Sequence, residues 1–291
     1  FENCTPDCPV GILDFGNISV DVQDNIIVGQ LEIIMNCEFD VTNFSISLSN
    51  ELDITEIIGG TAISNSFDIT YSESLIQANG NGSLLSSGEQ TILVLNFQTT
   101  DDNICFSNSN ITTSLGIEYS AELSDCVPLG TYYSGWNWIS INQSFDDMSL
   151  NSVLSNLADN GEFIKSQSGY SDYYPDFGWF GTLENIDNIS MYKLKMQNSD
   201  AIAYRGNYLD PNEVYLSLLS GWNWIGYTPS LDLDVNVALA NIPSGNGEFL
   251  KSQSGYSDYY LDFGWFGTLD TMNPLKGYLL KLSEDTDFTY N

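Results

Sequence analysis

The chain has 291 residues, with 39 acidic side chains, seven basic ones and no histidine, which gives a formal net charge of −32. Such a surface repels phosphate backbones and cannot form a polybasic membrane helix, so we expect no nucleic-acid partner. Without histidine, Ser-His-Asp and Cys-His catalysis and His-ligated zinc are excluded, whereas calcium binding and carboxylate chemistry stay open.

Apolar residues make up 42% of the chain, which is enough to build packed cores. No apolar run approaches 18 residues, so we expect no membrane insertion. The sequence begins Phe1-Glu2 without a methionine, which suggests a processed mature N-terminus.

The first 128 residues show short alternating strands. Apolar side chains alternate at Ile18/Val20, Leu31/Ile33/Met35, Phe44/Ile46/Leu48 and Leu93/Leu95/Phe97, with Gly-rich turns between them. Strands of this kind at roughly ten-residue spacing predict a β-sandwich for residues 1–128.

All five cysteines lie in this segment: Cys4, Cys8, Cys37, Cys105 and Cys126. A metal site would need paired short spacings, and only Cys4 and Cys8 are close. We therefore expect disulfides formed in an oxidising, extracellular compartment, with one thiol left over or bonded to another chain.

Seven Asn-x-Ser/Thr sequons are weak support for the same compartment, because a chain rich in Asn, Ser and Thr makes several by chance. The candidate glycosylation sites are Asn3, Asn17, Asn43, Asn81, Asn110, Asn142 and Asn188.

The remaining residues contain a duplication. Ser134–Ile139 recurs as Ser220–Ile225 at an offset of 86, and Gly161–Leu183 recurs as Gly247–Leu269 with only two differences. This pattern predicts two modules, residues 129–214 and 215–291.

Each module is predicted to be small and mostly β, with one short helix. In the first, an aromatic strand over 132–141 precedes a helix whose apolar residues, at 150, 153, 154 and 157, share one face. Asp147 or Ser149 can cap that helix. A Gly- and Tyr-rich block, an alternating strand over 191–196 and a last strand over 201–204 follow.

The leading segment resembles the cohesin-like (jelly-roll) β-sandwich. The runs that carry the resemblance are Gly29–Ile33, Phe39–Ile46, Ile57–Ala62, Phe67–Thr70, Gly88–Leu93 and Asn103–Cys105. In this group a late cysteine pair often closes the domain, which implies a Cys105–Cys126 bond and leaves Cys37 to pair with Cys4 or Cys8. The segment has no dockerin-type calcium loop, so no cellulosome role is implied.

The tandem modules resemble a repeat found near the ends of long secreted bacterial surface proteins. The matching stretches are Gly135–Ile139, Lys165–Gln167 and Gly178–Leu183, together with their copies at 221–225, 251–253 and 264–269. The resemblance implies a location among adhesion, matrix or appendage proteins and carries no biochemical activity with it.

Exposed aromatic side chains can stack on sugar rings, but indoles also form cores. Strand alternation places Trp136 and Trp138 on one face, and we expect these two and their copies Trp222 and Trp224 to be core. For Trp179 and Trp265, which glycines flank, we expect a place in the core, and contact with a glycan is the alternative.

Six tyrosines of the near-identical block are candidate interface or glycan contacts: Tyr170, Tyr173, Tyr174, Tyr256, Tyr259 and Tyr260. The near-identity of the copies has two interpretations. It reflects a recent duplication, or both copies present one surface to one partner, and repeated surfaces can assemble head to tail into filaments.

The acidic residues Asp172, Asp176, Asp258 and Asp262 are candidates for glycosidase chemistry, but a duplicated small module has little room for a cleft with two placed carboxylates. Calcium at the leading segment or at Asp232/Asp234 is a further candidate, without an EF-hand loop. Otherwise the acids keep the surface soluble.

We therefore predict a non-catalytic, secreted structural or adhesive protein that assembles with its own copies or other surface proteins, as a filament in the strongest version. The alternative is a carbohydrate-binding accessory protein. Residues 1–164 carry 23 acids and no base, while the rest carries 16 acids and seven bases. Lys165 and Lys251 are among the few cations that could meet that acidic front, so assembly should weaken in low salt with a chelator.

Overall fold

The computed structural model describes residues 11–49, 51–157 and 160–290. The chain divides into two compact units. Unit 1 contains the residues up to Thr131 together with Ala201–Tyr204, and unit 2 contains Tyr132–Asp200 and the residues from Arg205 onward. Strands dominate both units, which confirms the mostly β fold class.

The elements up to residue 132 are, in chain order, β1 Gly11–Gln23, β2 Ile26–Cys37, β3 Val41–Leu48, β4 Leu52–Gly59, α1 Thr61–Ser64, β5 Asp68–Ser72, β6 Leu75–Asn79, β7 Gly88–Thr99, β8 Asn103–Ile104, β9 Phe106–Thr113, β10 Glu118–Tyr119, β11 Glu122–Leu123 and β12 Val127–Tyr132.

The later elements are β13 Gly135–Ile139, β14 Gln143–Ser144, α2 Leu150–Val153, a 3-10 turn at Ser155–Leu157, β15 Gly161–Lys165, β16 Tyr170–Tyr174, β17 Gly178–Gly181, β18 Tyr192–Met196, β19 Asp200–Ala203, β20 Asn207–Tyr208, a 3-10 turn at Pro211–Glu213, β21 Leu216–Leu218, β22 Gly221–Ile225, β23 Leu233–Asp234, α3 Val235–Ala238, β24 Gly247–Lys251, β25 Tyr256–Tyr260, β26 Gly264–Gly267, β27 Thr271–Met272, β28 Tyr278–Leu282 and β29 Thr286–Phe288.

Unit 1 is the predicted β-sandwich. One five-stranded sheet has the order β11-β1-β2-β7-β4 and the other β10-β9-β3-β6-β5. Alternate residues of each sheet point into one shared core, where Phe15 of β1 stacks on Phe106 of β9 with ring centroids 4.0 Å apart. Two inward-facing sheets around one apolar layer define a sandwich, so this prediction is confirmed.

A three-stranded sheet of order β19-β12-β8 accompanies the sandwich. Its strand β19 corresponds to the predicted last strand of the first module, and Ala201–Tyr204 belong to unit 1. The predicted module boundaries at 128/129 and 214/215 stay predictions.

Unit 2 contains two five-stranded sheets with the same topology. The first has the order β13-β18-β15-β16-β17 and the second β22-β28-β24-β25-β26. In each, the Gly-Trp-Asn-Trp-Ile strand is one edge and the Gly-Trp-Phe-Gly strand is the other. The short pairs β14-β20, β21-β29 and β23-β27 complete the unit.

Each module has the predicted short helix. The Ser149 side chain accepts a hydrogen bond from the amide of Ser152 and caps α2, and Asp234 accepts from Asn236 at the start of α3. The apolar face of the first helix is buried as expected, including Leu150 and Leu154. A side-chain cap of this kind satisfies an amide that the first helical turn leaves unpaired.

Candidate binding surfaces

The two modules of unit 2 contact each other reciprocally. Gln167 of the first module bonds to the strand β22 of the second, and Gln253, its copy, bonds to β13. Single β-bridges join Ser190 to Ile225 and Lys276 to Ile139, again at the 86-residue offset. Contacts of the form i to j and j to i are the signature of a twofold axis, so the modules form a pseudo-twofold pair within one chain.

Amide side chains cap the edge strands at this junction. The Gln253 side chain accepts from the Trp138 amide at 2.7 Å and donates to the Trp136 carbonyl at 2.6 Å. Gln167 makes the same two bonds with Trp224 and Trp222, at 3.0 and 3.2 Å. An edge strand presents unpaired backbone groups that invite pairing with other chains, and these side chains satisfy them.

The asparagine between the two tryptophans points inward. The Asn137 side chain accepts from the Tyr133 amide and donates to the Tyr133 and Gly135 carbonyls, and Asn223 does the same at Leu219 and Gly221. It therefore holds the turn that leads into the strand, and the two flanking indoles must face outward.

This arrangement corrects the expectation that Trp136 and Trp222 are core residues. Their side chains are 42% and 45% exposed, while Asn137 and Ile139 occupy the inward positions of the same strand. Trp138 and Trp224 are half-buried at the module junction. The prediction that Trp136 and Trp138 share one face is consistent with the burial pattern.

Trp179 and Trp265 lie in the cores of their modules, each only 6% exposed. Tyr173 and Tyr259 pack edge to face against them, with ring centroids 5.3 Å apart. The two indoles are therefore excluded as glycan-contact residues, because β17 turns its Trp inward and its Phe outward.

The remaining predicted tyrosines do lie on the surface. Tyr170, Tyr174 and their copies Tyr256 and Tyr260 are about half exposed, on the outward face of the β16–β17 and β25–β26 hairpins. Four phenylalanines that the sequence analysis did not single out extend this face: Phe177, Phe180, Phe263 and Phe266.

We call these eight residues the hairpin aromatic surface. Phe177 and Phe263, at the hairpin turns, are 81% and 76% exposed. Phe180 lies opposite Asp172 in the register of the hairpin, so it points away from Trp179 and the core. Large exposed rings therefore occur at the same positions of both modules.

The outer edge strands are capped from within each module. The Asn151 side chain accepts from the Trp179 amide at 2.7 Å and donates to the Trp179 carbonyl at 3.2 Å, and Asn236 caps Trp265 in the same way. Gly178 has a φ of 75°, and a Cβ there would lie 2.2 Å from the Asn151 oxygen. The outward-facing backbone amide and carbonyl of Trp179 and of Trp265 are therefore occupied by a side chain of the same module.

The outward faces of the two sheets also carry lysines. Lys193 lies with its Nζ 4.2 Å from the Trp138 ring centroid and 4.6 Å from that of Trp224. Lys165 lies over Trp136 at 5.3 Å. An ammonium over an indole face is attracted by the ring quadrupole.

The disulfide between Cys105 and Cys126 is present, as the cohesin-like resemblance implied. Cys37, in contrast, is a free and buried thiol, which corrects the expectation that it pairs with Cys4 or Cys8. Cys37 is the last residue of β2, and its buried sulfur lies 3.7 Å from the Tyr119 hydroxyl. Cys4 and Cys8 lie outside the described residues.

The sequons differ in accessibility. Asn17, Asn81 and Asn110 are exposed, and Asn43 is half-buried on β3. Asn142 is buried and donates to the Pro229 carbonyl at 3.1 Å, so it is wrong as a glycosylation site in the folded chain.

The Asn188 side chain donates to the carbonyls of Ile141 and Gln143, at 2.9 and 2.7 Å. Its amide nitrogen is therefore engaged within unit 2. Asn3 lies outside the described residues.

Within the described ranges, no group of three or more acidic or cysteine side chains gathers as a metal site. Calcium binding at Asp232/Asp234 stays a prediction. In the same part of the chain, no helix is long and apolar enough to cross a membrane.

No family model matches this chain, and no curated protein sequence matches it. Similar solved structures include a non-cellulosomal cohesin from the hyperthermophilic archaeon Archaeoglobus fulgidus, 15% identical with a TM-score of 0.27, over 37% of this chain and 86% of the cohesin. Another is an inactive mutant of a GH20 exo-β-N-acetylglucosaminidase from Vibrio harveyi, 11% identical with a TM-score of 0.30, over 54% of this chain and 23% of that one. Both likenesses are weak. The likeness of the modules to bacterial surface repeats stays a prediction.

Sequence reasoning missed Gln167, Gln253 and the four phenylalanines. The glutamines are identical in both copies within the Lys-Ser-Gln stretch, which was a usable signal. The phenylalanines could have been assigned by alternation, because Phe180 and Trp179 are neighbours in one strand and must face opposite sides.

Proposed function

We propose that this chain is a non-catalytic structural or adhesive protein of the extracellular space, which binds copies of itself through the hairpin aromatic surface. The observation that carries the proposal is the repetition of four exposed rings in each module: Tyr170, Tyr174, Phe177 and Phe180, with Tyr256, Tyr260, Phe263 and Phe266.

The energetics favour a partner over permanent exposure. Burying a phenylalanine side chain fully is worth about 1.5–3 kcal/mol relative to leaving it in water. Phe177 and Phe263 are almost wholly exposed, so most of that free energy is still available for binding. Aromatic side chains are also enriched where proteins bind one another.

The pseudo-twofold pairing supports assembly beyond a dimer. The aromatic hairpins lie on β16–β17 and β25–β26, at the opposite side of each sheet from the junction strands β13 and β22. Each molecule of the protein therefore carries two equivalent aromatic surfaces, one in each module. A protein with two such surfaces can link copies into an open chain, which is how filaments grow.

The extracellular location is supported by the Cys105–Cys126 disulfide, because such bonds persist in oxidising compartments. The alternative function, a carbohydrate-binding accessory protein, loses two of its candidate contact residues, Trp179 and Trp265, since both are buried.

Negative-stain electron microscopy and sedimentation of the full chain, with and without calcium, test the proposal. We expect assemblies that disappear when Phe177, Phe180, Phe263 and Phe266 are all changed to Ser. A matched control changes the exposed Leu115 and Leu231 to Ser and should assemble normally. Monomers at high concentration in every condition would refute the proposal.

A further inference from the structure

Most of the basic residues lie on the outward faces of the unit 2 sheets. Lys165 and Lys193 are partners across β15 and β18, and Lys195 lies opposite Phe163 in the same register. Their neighbours in sequence, Ile164 and Leu194, are buried, so these lysines point outward. Lys251 and Lys281 occupy the equivalent face of the second module.

Two of these five lysines are neutralised locally. Lys195 pairs with Glu162 at 2.5 Å, and Lys281 pairs with Glu248. Lys165, Lys193 and Lys251 have no carboxylate oxygen within 4.0 Å in the part of the chain that the structure describes. In a protein with 39 acids and seven bases, three unpaired ammonium groups are unexpected.

These three lysines converge at the pseudo-twofold junction. Lys193 lies between Trp138 and Trp224, and the Lys251 Nζ is 6.0 Å from the Trp138 ring centroid. Burial, and then the positive charges of Lys165 and Lys251, lower the pKa of Lys193. The indoles attract the ammonium groups but leave their positive charge uncancelled.

Exposed indole accompanies the charge. Trp136 and Trp222, on the junction strands of the two modules, each leave nearly half of their surface open. We call Lys165, Lys193 and Lys251 with Trp136, Trp138, Trp222 and Trp224 the lysine–tryptophan cluster. It combines an apolar ring surface, on which a sugar ring can lie, with ammonium groups that can pair with carboxylates.

We infer that the lysine–tryptophan cluster binds an acidic polysaccharide, with uronate carboxylates at the three lysines and sugar rings against the exposed indoles. The inference does not rest on self-assembly, because it uses the ammonium groups and the indoles rather than the hairpin rings. The two surfaces adjoin, since Lys165 and Lys251 lie opposite Tyr170 and Tyr256 in the register of the sheets.

The large negative charge of the chain does not prevent this binding. At about 0.1 M salt the Debye length is about 10 Å, so the distant acids are screened while direct ammonium–carboxylate contacts persist. On the outward face, Glu162 and Glu248 already hold Lys195 and Lys281. Among the residues that the structure describes, Asp172 and Asp258 lie on the same face, opposite Phe163 and Phe249, and form no ion pair within 4.0 Å with the three lysines.

The test measures binding of polygalacturonate to the full chain, by calorimetry and tryptophan fluorescence, in moderate salt. Neutral galactan and single-stranded DNA of similar length are the comparison polymers. We expect binding to polygalacturonate alone, weakened at least tenfold in the triple variant Lys165→Gln, Lys193→Gln, Lys251→Gln. The control Lys195→Gln, Lys281→Gln also removes cations from this face, and it should bind within twofold of the parent chain.

Three outcomes would overturn the inference: no binding to polygalacturonate, equal binding to galactan or DNA, or an equal loss in the control variant. Loss of self-association in the triple variant without any polygalacturonate binding would assign the cluster to the acidic surface of another copy instead. The variant Lys193→Arg keeps the charge and should retain binding, which separates a charge requirement from misfolding. Thermal unfolding checks each variant, and electron microscopy of the same samples reads the assembly proposal separately.

Discussion

Gln167 and Gln253 stand at the same position of the two modules, and each caps the edge strand of the other one. Their four hydrogen bonds join two sheets of identical topology. The single bridges Ile139–Lys276 and Ser190–Ile225 join the same two modules. Because the contacts are reciprocal, the duplication produced a pair that closes on itself and leaves the opposite sides of both sheets available.

Replacing either glutamine by alanine should weaken this pairing. A net hydrogen bond is worth about 0.5–1.5 kcal/mol, and each glutamine makes two partly exposed ones, so we expect a loss of about 1–2 kcal/mol in the free energy of unfolding. The double variant should lose more than either single variant, and any departure from the sum of the two losses measures their coupling across the shared junction. Urea unfolding of both single variants and the double variant measures this, with Ser168→Ala in the same turn as control. A double variant as stable as the parent chain would show that the capping bonds are dispensable.

The tryptophans should separate into two classes. Trp179→Ala removes a buried indole and should cost about 3–5 kcal/mol of unfolding free energy, and Trp265→Ala should do the same. Trp136→Ala loses an exposed indole and one edge-to-face contact with Phe163, worth about 1 kcal/mol. Denaturant unfolding compares them directly. Equal, small losses at Trp179 and Trp136 would contradict the assignment of Trp179 to the core.

The disulfide should stabilise the sandwich. Cys105 and Cys126 are 21 residues apart in sequence, and closing a loop of that length reduces the entropy of the unfolded chain by an amount worth about 3 kcal/mol. The variant Cys105→Ser, Cys126→Ser should lose about that much free energy of unfolding. Urea denaturation, monitored through unit 1, measures the loss. Unchanged stability, with the bond confirmed by mass mapping of the parent chain, would contradict this expectation.

High pH should unfold unit 2. Burial raises the pKa of the hydroxyls of Tyr192, Tyr227, Tyr278 and Tyr290 above the ordinary value. Since the unfolded pKa is about 10, the neutral rings contribute their full stability below about pH 10 and lose it as the pH rises toward the folded values. We expect tyrosinate absorbance from these rings to appear together with the loss of circular dichroism. Complete titration of all tyrosines with the fold intact would contradict their burial.

The strands and the capped helices could be predicted because their patterns are local. Alternation in β2 and β3 indicates which side chains face the sandwich core, and Asp147 or Ser149 indicates the start of α2, which Ser149 caps. The fate of the tryptophans could not be predicted in this way. Trp136 and Trp138 share one face of their strand and Asn137 and Ile139 the other, so the pattern favoured the indole face as the apolar one. The hydrogen bonds of Asn137 to Tyr133 and Gly135 instead place the asparagine inward.

The contacts between the modules could not be predicted from local patterns, because the partners are distant in sequence. Gln167 is a polar residue in a turn, and its partners lie 55 and 57 residues away. The cohesin-like resemblance implies a partner for Cys37, whereas its sulfur is a free thiol in an enclosed site beside Tyr119. Such outcomes depend on how elements pack, which residue spacing alone does not specify.

Self-association through the hairpin aromatic surface is the central claim, and sedimentation velocity over a range of concentrations tests it most directly. The parent chain should form larger species as concentration rises, and less so in low salt with a chelator, where its acids repel most strongly. The variant with Phe177, Phe180, Phe263 and Phe266 changed to Ser should remain monomeric while keeping its thermal stability. Identical sedimentation of the two proteins at every concentration would contradict the claim.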